Sequence, residues 1–285
     1  MVKLSIITIN YNDSEGLLKT INSVRNQSSK HFEYIVIDGD SSDNSVDIIK
    51  RNGDFISCWV SEKDNGAYSA MNKGIRCAKG EYCIFMNSGD VFYDDDVLAR
   101  VIPMLDGKDI ITGSTWLSFG RLVTAPEDVP MRYLFKGTLC HQSSFIKRSL
   151  LLEYPYDETL RYVSDWKFWI QTLVFAEYTY KSIDTIISIY DWSGMSTVNY
   201  IDCDAEKLKV LNDFFPKKVV RDYDKFVCGE TWEDKLYIEM KSSQFHTFFY
   251  SMNVLLLRIL SFFKKKSQWV QKYPFKCSDL KGNKL

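Results

Sequence analysis

The sequence predicts an α/β protein built on a mostly parallel, doubly wound sheet and followed by an α-helical C-terminal extension. Three observations carry this. Apolar runs of strand length recur at Leu4 to Ile9, Tyr34 to Ile37 and Tyr82 to Met86, and continuous runs of this kind mark strands buried on both faces. Each run gives way to a polar stretch rich in Asp, Asn and Ser and then to apolar residues at helical spacing, the alternation expected of a doubly wound sheet. After Gly107 the elements become shorter and more irregular, and beyond residue 198 the pattern is helical. The expected divisions are 1–107, 108–198 and 199–285.

At 285 residues the chain can bury a full α/β core and still carry an appendage. A net charge of −1 gives no basic footprint for nucleic acid. The seven cysteines are scattered, odd in number and free of CxxC pairs, which reads as reduced thiols of a cytoplasmic protein. Three histidines make a His/Cys zinc site an unpromising reading. The strand pattern starts within a few residues of Met1, leaving no expected signal peptide.

Taken in order, Leu4 to Ile9 is the first strand, and Leu17, Leu18, Ile21 and Val24 give the face of the first helix. Tyr34 to Ile37 is the second strand, with Asp38-Gly39-Asp40-Ser41-Ser42-Asp43 as its exit loop. A third strand is expected at Cys58-Trp59-Val60. The loop Glu62 to Gly66 then opens a helix whose apolar face is Tyr68, Met71, Ile75 and Ala78. The fourth strand ends abruptly in Asn87-Ser88-Gly89-Asp90. Amide, hydroxyl and carboxylate groups thus gather at the carboxyl end of a strand, where open α/β sheets bind ligands. Asp90 is a candidate metal ligand, although the same residues also read as a plain polar turn before a helix capped by Asp95 or Asp96. No GxGxxG follows the first strand and no Walker lysine loop occurs, which disfavours NAD and FAD.

The ordered set SIITINYN, IVIDGDSSDNS, EKDNGAYSAMNKGI and GEYCIFMNSGD resembles glycosyltransferase family 2, inverting enzymes of the GT-A fold, over roughly residues 1 to 195. The resemblance implies a nucleotide-sugar half at 1–107 and an acceptor half at 108–198. It implies a nucleotide diphospho-sugar donor, with UDP the expected nucleotide, held by Thr8, Asn10, Tyr11, Asp38, Asp64, Gly66, Asn72 and Lys73. It places the metal motif on Asn87-Ser88-Gly89-Asp90, where Asp90 alone is charged; Mn2+ or Mg2+ is the implied cofactor. A late acidic residue at a helix start serves as base in that family, which maps to Asp165 in Tyr162-Val163-Ser164-Asp165-Trp166. Ser164 or Asp165 as a simple helix cap is the competing reading. His141 and Gln142, with Trp166, fall on the acceptor side, and Gly194-Met195-Ser196 matches a closing loop or an ordinary turn.

The expected activity is transfer of a hexose or N-acetylhexosamine to a hydroxyl of a glycan or lipid-linked acceptor in surface polysaccharide synthesis. Two rivals stand beside it: a catalytically silent scaffold of the same fold that binds a glycan, and a glycoside hydrolase, which also needs two carboxylates but has no use for nucleotide loops. In the extension, Phe245 to Phe263 followed by Lys264-Lys265-Lys266 carries a broad apolar face and a narrow polar stripe with Arg258. That pattern suits the inner face of a membrane, with packing on the catalytic domain or on a second copy in a homodimer as the alternative.

Overall fold

The computed structural model describes residues 2–190 and 200–228; the expectations for Gly194-Met195-Ser196 and for Phe245 to Phe263 lie outside the described residues. The first half runs β1 (Leu4–Asn10), α1 (Ser14–Asn26), β2 (Phe32–Asp38), α2 (Ser45–Arg51), β3 (Cys58–Ser61), α3 (Ala67–Cys77) and β4 (Tyr82–Phe85). Its four strands are all parallel, with β1 flanked by β2 and β4 and with β3 outside β2. Asp13 caps α1, its Oδ1 accepting from the Gly16 N–H at 3.0 Å.

Strand alternation divides the buried side chains between two layers. Ile7, Ile9, Ile35, Ile37, Cys83 and Phe85 face one core cluster. Leu4, Ile6, Tyr34, Val36, Tyr82 and Ile84 face the other. A fully buried aliphatic or aromatic side chain contributes about 1.5–3 kcal/mol, so both faces of this central ribbon stabilise the sheet.

The second half contains β5 (Val91–Phe92), α4 (Val97–Val101), β6 (Ile110–Leu117), β7 (Arg121–Val123), α5 (Met131–Lys136), β8 (Ser144–Lys147), α6 (Arg148–Glu153), α7 (Ser164–Trp169) and β9 (Tyr180–Tyr190). The sheet order is β3-β2-β1-β4-β8-β6-β9-β5, with β7 paired to β6. β8 enters antiparallel between β4 and β6, and β9 is parallel to β6. Hence β6 and β9 point the same way as β4, and one edge collects the carboxyl ends of β1, β2, β4, β6 and β9 with the amino end of β8. Ligands of open α/β sheets bind at such an edge.

α7 continues into a π-helical turn at Ile170–Phe175, where the Ala176 N–H donates to the Gln171 carbonyl at 3.0 Å. Two further helices follow, α8 (Tyr200–Phe214) and α9 (Lys217–Cys228). The compact unit reaches Tyr223, because Cys203, Val210, Leu211 and Val220 are buried in the first core cluster. Among the described residues, no helix is long and apolar enough to cross a membrane.

Candidate functional site

Two exit loops meet at the ligand edge and are laced together. Asn10 Nδ2 donates to Asp38 Oδ1 at 2.8 Å, and the Asp38 carboxylate also accepts from Ser41 Oγ (2.6 Å), the Ser41 N–H (3.0 Å) and Ser61 Oγ (2.8 Å). Burial pushes this carboxyl up, but the Ser41, Asn10 and Ser61 hydrogen bonds outweigh it and hold it below the usual carboxylate range. Ser88 Oγ donates to Asn10 Oδ1 at 2.8 Å, so a single chain of polar contacts crosses β4, β1 and β2. Asn12 and Asp40 adopt positive φ of 50° and 66°. Asn12 fixes this turn by accepting from the Ser42 N–H while its own N–H donates to Ser41 Oγ, each at 2.8 Å.

Beside this network Tyr11, Gly39 and Asp64 come together at the surface. Tyr11 is 67% exposed, and a Cβ on Gly39 would stand 2.9 Å from Asp64 Oδ2 and 3.2 Å from Tyr11 Cδ2. A larger residue at 39 would have to displace the end of one of these side chains. An exposed ring, a backbone free of Cβ and a carboxylate make a surface on which a flat polar heterocycle can lie. Asp64 is held in a turn, its Oδ1 accepting from the Gly66 N–H at 2.9 Å.

The stretch Asn87 to Asp90 folds into a turn closed by the Asp90 N–H donating to the Asn87 carbonyl at 3.0 Å. Gly89 takes φ 94° there, a region that other residues enter only with strain. Thr20 of α1 fastens the turn from below: its Oγ1 accepts from the Gly89 N–H (3.1 Å) and donates to the Asp90 carbonyl (2.7 Å). Nothing in the local pattern singles out Thr20, which reads as one more polar position on a helix.

The third component joins the two halves. His141, in a 3-10 turn at His141–Ser143 just before β8 rather than on the strand itself, shares a 3.2 Å contact through Nε2 with Asn87 Nδ2 and one of 3.3 Å through Nδ1 with Asp165 Oδ2. A neutral His141 that accepts from Asn87 at Nε2 carries its proton on Nδ1 and donates it in a hydrogen bond to Asp165. The other oxygen, Asp165 Oδ1, accepts from Tyr68 OH and from the Trp166 N–H, each at 2.9 Å. The side chains of His141 and Asp165 remain 20% and 13% exposed.

Burial pushes the Asp165 carboxyl up, yet the His141 hydrogen bond and charge, then Tyr68 and the Trp166 N–H, leave it below the ordinary range. It is therefore ionised at neutral pH. For His141, burial pushes the imidazole down, but the Asp165 hydrogen bond and charge and the Asp90 charge raise it overall. Asp165 sits in the first turn of α7, whose N-cap residue Val163 supplies no side-chain cap, and its carboxylate joins the Trp166 N–H of that turn to Tyr68 and His141. Tyr68 is a second site residue, which the sequence placed on an apolar helix face and within the motif EKDNGAYSAMNKGI but did not link to Asp165.

Other expected residues are placed elsewhere. Thr8 is buried, bonded to the Met86 carbonyl (2.7 Å) and Tyr34 OH (3.0 Å). Asn72 is buried and grips the chain at Tyr156: its Nδ2 donates to the Tyr156 carbonyl (2.8 Å) and Glu158 Oε1 (2.9 Å), and its Oδ1 accepts from the Tyr156 N–H (3.0 Å). Lys73 pairs with Glu62 at 2.9 Å. Gln142 is buried, and Trp166 Nε1 donates to the Leu134 carbonyl at 2.7 Å. These residues frame the site without lining the surface at Gly39.

Residues 5–150 match the model of Glycosyl transferase family 2. The chain belongs to this family. An uncharacterized glycosyltransferase of Mycobacterium tuberculosis is 32% identical over 203 residues, covering 68% of this chain and 77% of the relative. A PGL/p-HBAD biosynthesis glycosyltransferase of Mycobacterium bovis is 28% identical over 205 residues, covering 67% and 78%. Among solved structures, Staphylococcus aureus TarS 1-349 in complex with UDP-GlcNAc aligns with a TM-score of 0.56 at 18% identity, over 66% of this chain and 58% of that one. A Pyrobaculum calidifontis mannosyltransferase in complex with GDP-Man and Mn2+ aligns with a TM-score of 0.54 at 16% identity, over 70% and 59%. The α/β fold of this family 2 member is thus GT-A.

Among the described residues, no three His, Cys, Asp or Glu side chains cluster as a ready metal cage. The oxygen donors at hand are the carboxylate of Asp90 and Asn87 Oδ1, the latter buried without a hydrogen-bond partner. An orphaned buried carbonyl oxygen on the same four-residue turn as a carboxylate is a donor set that a hard cation can use if it completes its shell from phosphate and water.

Proposed function

We propose that this family 2 glycosyltransferase moves a hexose or N-acetylhexosamine from a nucleotide diphosphate donor to a hydroxyl of a glycan or lipid-linked acceptor, with inversion. The observation that carries the reading is Asp165, an ionised carboxylate fixed by Tyr68 and His141 and linked through His141 and Asn87 to the Asp90 turn. In the proposed step the acceptor O–H bond breaks and its proton passes to Asp165. The freed electron pair forms the bond to the anomeric carbon. The bond from that carbon to the diphosphate oxygen breaks, and its pair leaves with the nucleoside diphosphate.

Tyr11, Gly39 and Asp64 form the base slot in this reading, with Asn10 and Asp38 holding the loops in shape. A Mg2+ or Mn2+ ion, held by Asp90 and Asn87, would neutralise charge on the departing diphosphate. UDP is the favoured nucleotide, supported by the UDP-GlcNAc complex of TarS, with GDP represented by the Pyrobaculum complex. Surface polysaccharide or glycolipid synthesis is the matching context, supported by the PGL/p-HBAD biosynthesis relative. A cytoplasmic location with contact at the inner membrane face follows from a lipid-linked acceptor, and salt-sensitive co-sedimentation with anionic vesicles tests it.

The deciding experiment is a panel of UDP- and GDP-linked hexoses and N-acetylhexosamines assayed for hydrolysis with and without Mn2+. Asp165→Asn should bind the selected donor as the parent does and turn over roughly two to four orders of magnitude more slowly. No turnover with any donor would favour the silent scaffold.

A further inference from the structure

The two oxygens of Asp165 are not equivalent. Oδ1 accepts twice, from Tyr68 OH and the Trp166 N–H at 2.9 Å each, whereas Oδ2 accepts once, from His141 Nδ1 at 3.3 Å. A carboxylate oxygen offers about two lone-pair sites. Among the described residues Oδ1 is therefore filled and Oδ2 keeps one site open, on the side of the carboxylate that leads through His141 to Asn87.

We propose that Tyr68 is a positioning residue that reserves Asp165 Oδ2 as the oxygen receiving the acceptor proton, and so fastens the base to the turn that opens α3. The inference rests on the reading of Asp165 as base. Without the Tyr68 hydroxyl, Oδ1 regains an open site and the carboxylate loses the donor that sets its rotation. The proton is then shared between two orientations, of which only one faces the attacking hydroxyl. Misplacement on the order of an ångström costs about a hundredfold in rate.

The phenol is well placed for this. Tyr68 is buried, its ring stands 5.5 Å from that of Tyr156, and it lies on a helix locked by the Asn72 clamp. It is four residues from Asp64, whose side chain holds the Gly66 N–H, so the slot and the base are joined through one turn and a rigid helix start. Among the described residues the Tyr156 hydroxyl makes no hydrogen bond, so the donor that Asp165 Oδ1 takes from a side chain is Tyr68. Desolvation and the Asp165 charge push the Tyr68 hydroxyl well above its ordinary value, and it stays a proton donor throughout turnover.

The test is Tyr68→Phe, which keeps the ring and removes the hydroxyl, made alone and in the Asp165→Asn background. Hydrolysis of the best nucleotide sugar from the panel and thermal unfolding are measured for each. The expected result is a tenfold to hundredfold lower kcat with donor KM within twofold, and no further loss when Asp165 is already Asn. Parental kcat in Tyr68→Phe, a loss expressed in donor KM, or an equal loss in both backgrounds overturns the proposal. Parental turnover in Asp165→Asn, or no turnover with any donor, overturns the underlying reading and is recognised separately.

Discussion

Thr20 Oγ1 donates a 2.7 Å hydrogen bond to the carbonyl of Asp90, seventy residues away, and accepts from the Gly89 N–H at 3.1 Å. The first helix therefore shapes the turn that presents Asp90. Replacing the hydroxyl by a methyl in Thr20→Val keeps the volume and strands a buried N–H and carbonyl. The expected cost is about 1–3 kcal/mol of stability, read by urea unfolding. Metal-dependent donor binding should weaken in the same variant. Parental stability with parental donor affinity would show that the turn holds its shape unaided.

Asp90→Ala should reduce the effect of Mn2+ on donor binding, because Asp90 is the one carboxylate in the turn Asn87-Ser88-Gly89-Asp90 and two of the carboxylates that follow are held by other groups. Asp94 pairs with Arg100 at 2.9 Å and Asp96 Oδ1 accepts from Ser28 Oγ at 2.6 Å. Neutralising Asp94, Asp95 and Asp96 together should leave metal-dependent binding unchanged in titrations followed by calorimetry. The reverse pattern would move the cation to that acidic run.

The first half of the fold was legible because strands buried on both faces write themselves as continuous apolar runs, and SIITIN, YIVID and YCIF are such runs. Their exit loops were legible because polar groups cluster where the sheet ends. The insertion of β8 between β4 and β6 was not, since strand pairing between residues some sixty positions apart leaves no local periodicity. Tyr68 and Thr20 were missed for a related reason. A phenol on an apolar helix face packs its ring in the core and exposes its hydroxyl to a partner, Asp165, that no spacing rule links to it. Asp38 reads in sequence as a ligand carboxylate, yet its oxygens are taken up by Asn10, Ser41 and Ser61, a saturation visible only when three loops are seen together.

The segment that leads into α7 depends on an ion pair, Lys167 Nζ to Asp157 Oδ2 at 2.6 Å. Burial pushes the Asp157 carboxyl up, but the Lys167 and Thr159 hydrogen bonds dominate and bring it down to about 2. Its folded value lies below its unfolded value, so the stabilisation is present above about pH 4 and is lost as pH falls from there through about 2. At neutral pH solvent screening of this partly exposed pair leaves a stabilisation on the order of 1 kcal/mol. The difference in unfolding free energy between parent and Asp157→Asn should hold steady from pH 7 to 5 and narrow below pH 4. A gap that stays constant down to pH 3 would rule out the ion pair as its source.

Asn72 separates a structural clamp from a nucleotide contact. Its amide makes three hydrogen bonds to Tyr156 and Glu158 and is buried, leaving little capacity for a ligand. Asn72→Ala strands the Tyr156 N–H and carbonyl, and the expected loss is about 2–4 kcal/mol from two unsatisfied buried groups. Because the clamp joins α3 to the segment before α7, the loosened chain should also let Asp165 drift from Tyr68, lowering kcat more than donor affinity. Equilibrium binding of UDP under conditions where the variant remains folded decides the matter. Parental UDP affinity with reduced stability and kcat supports the clamp, while a selective loss of UDP binding at parental stability would return Asn72 to the nucleotide site.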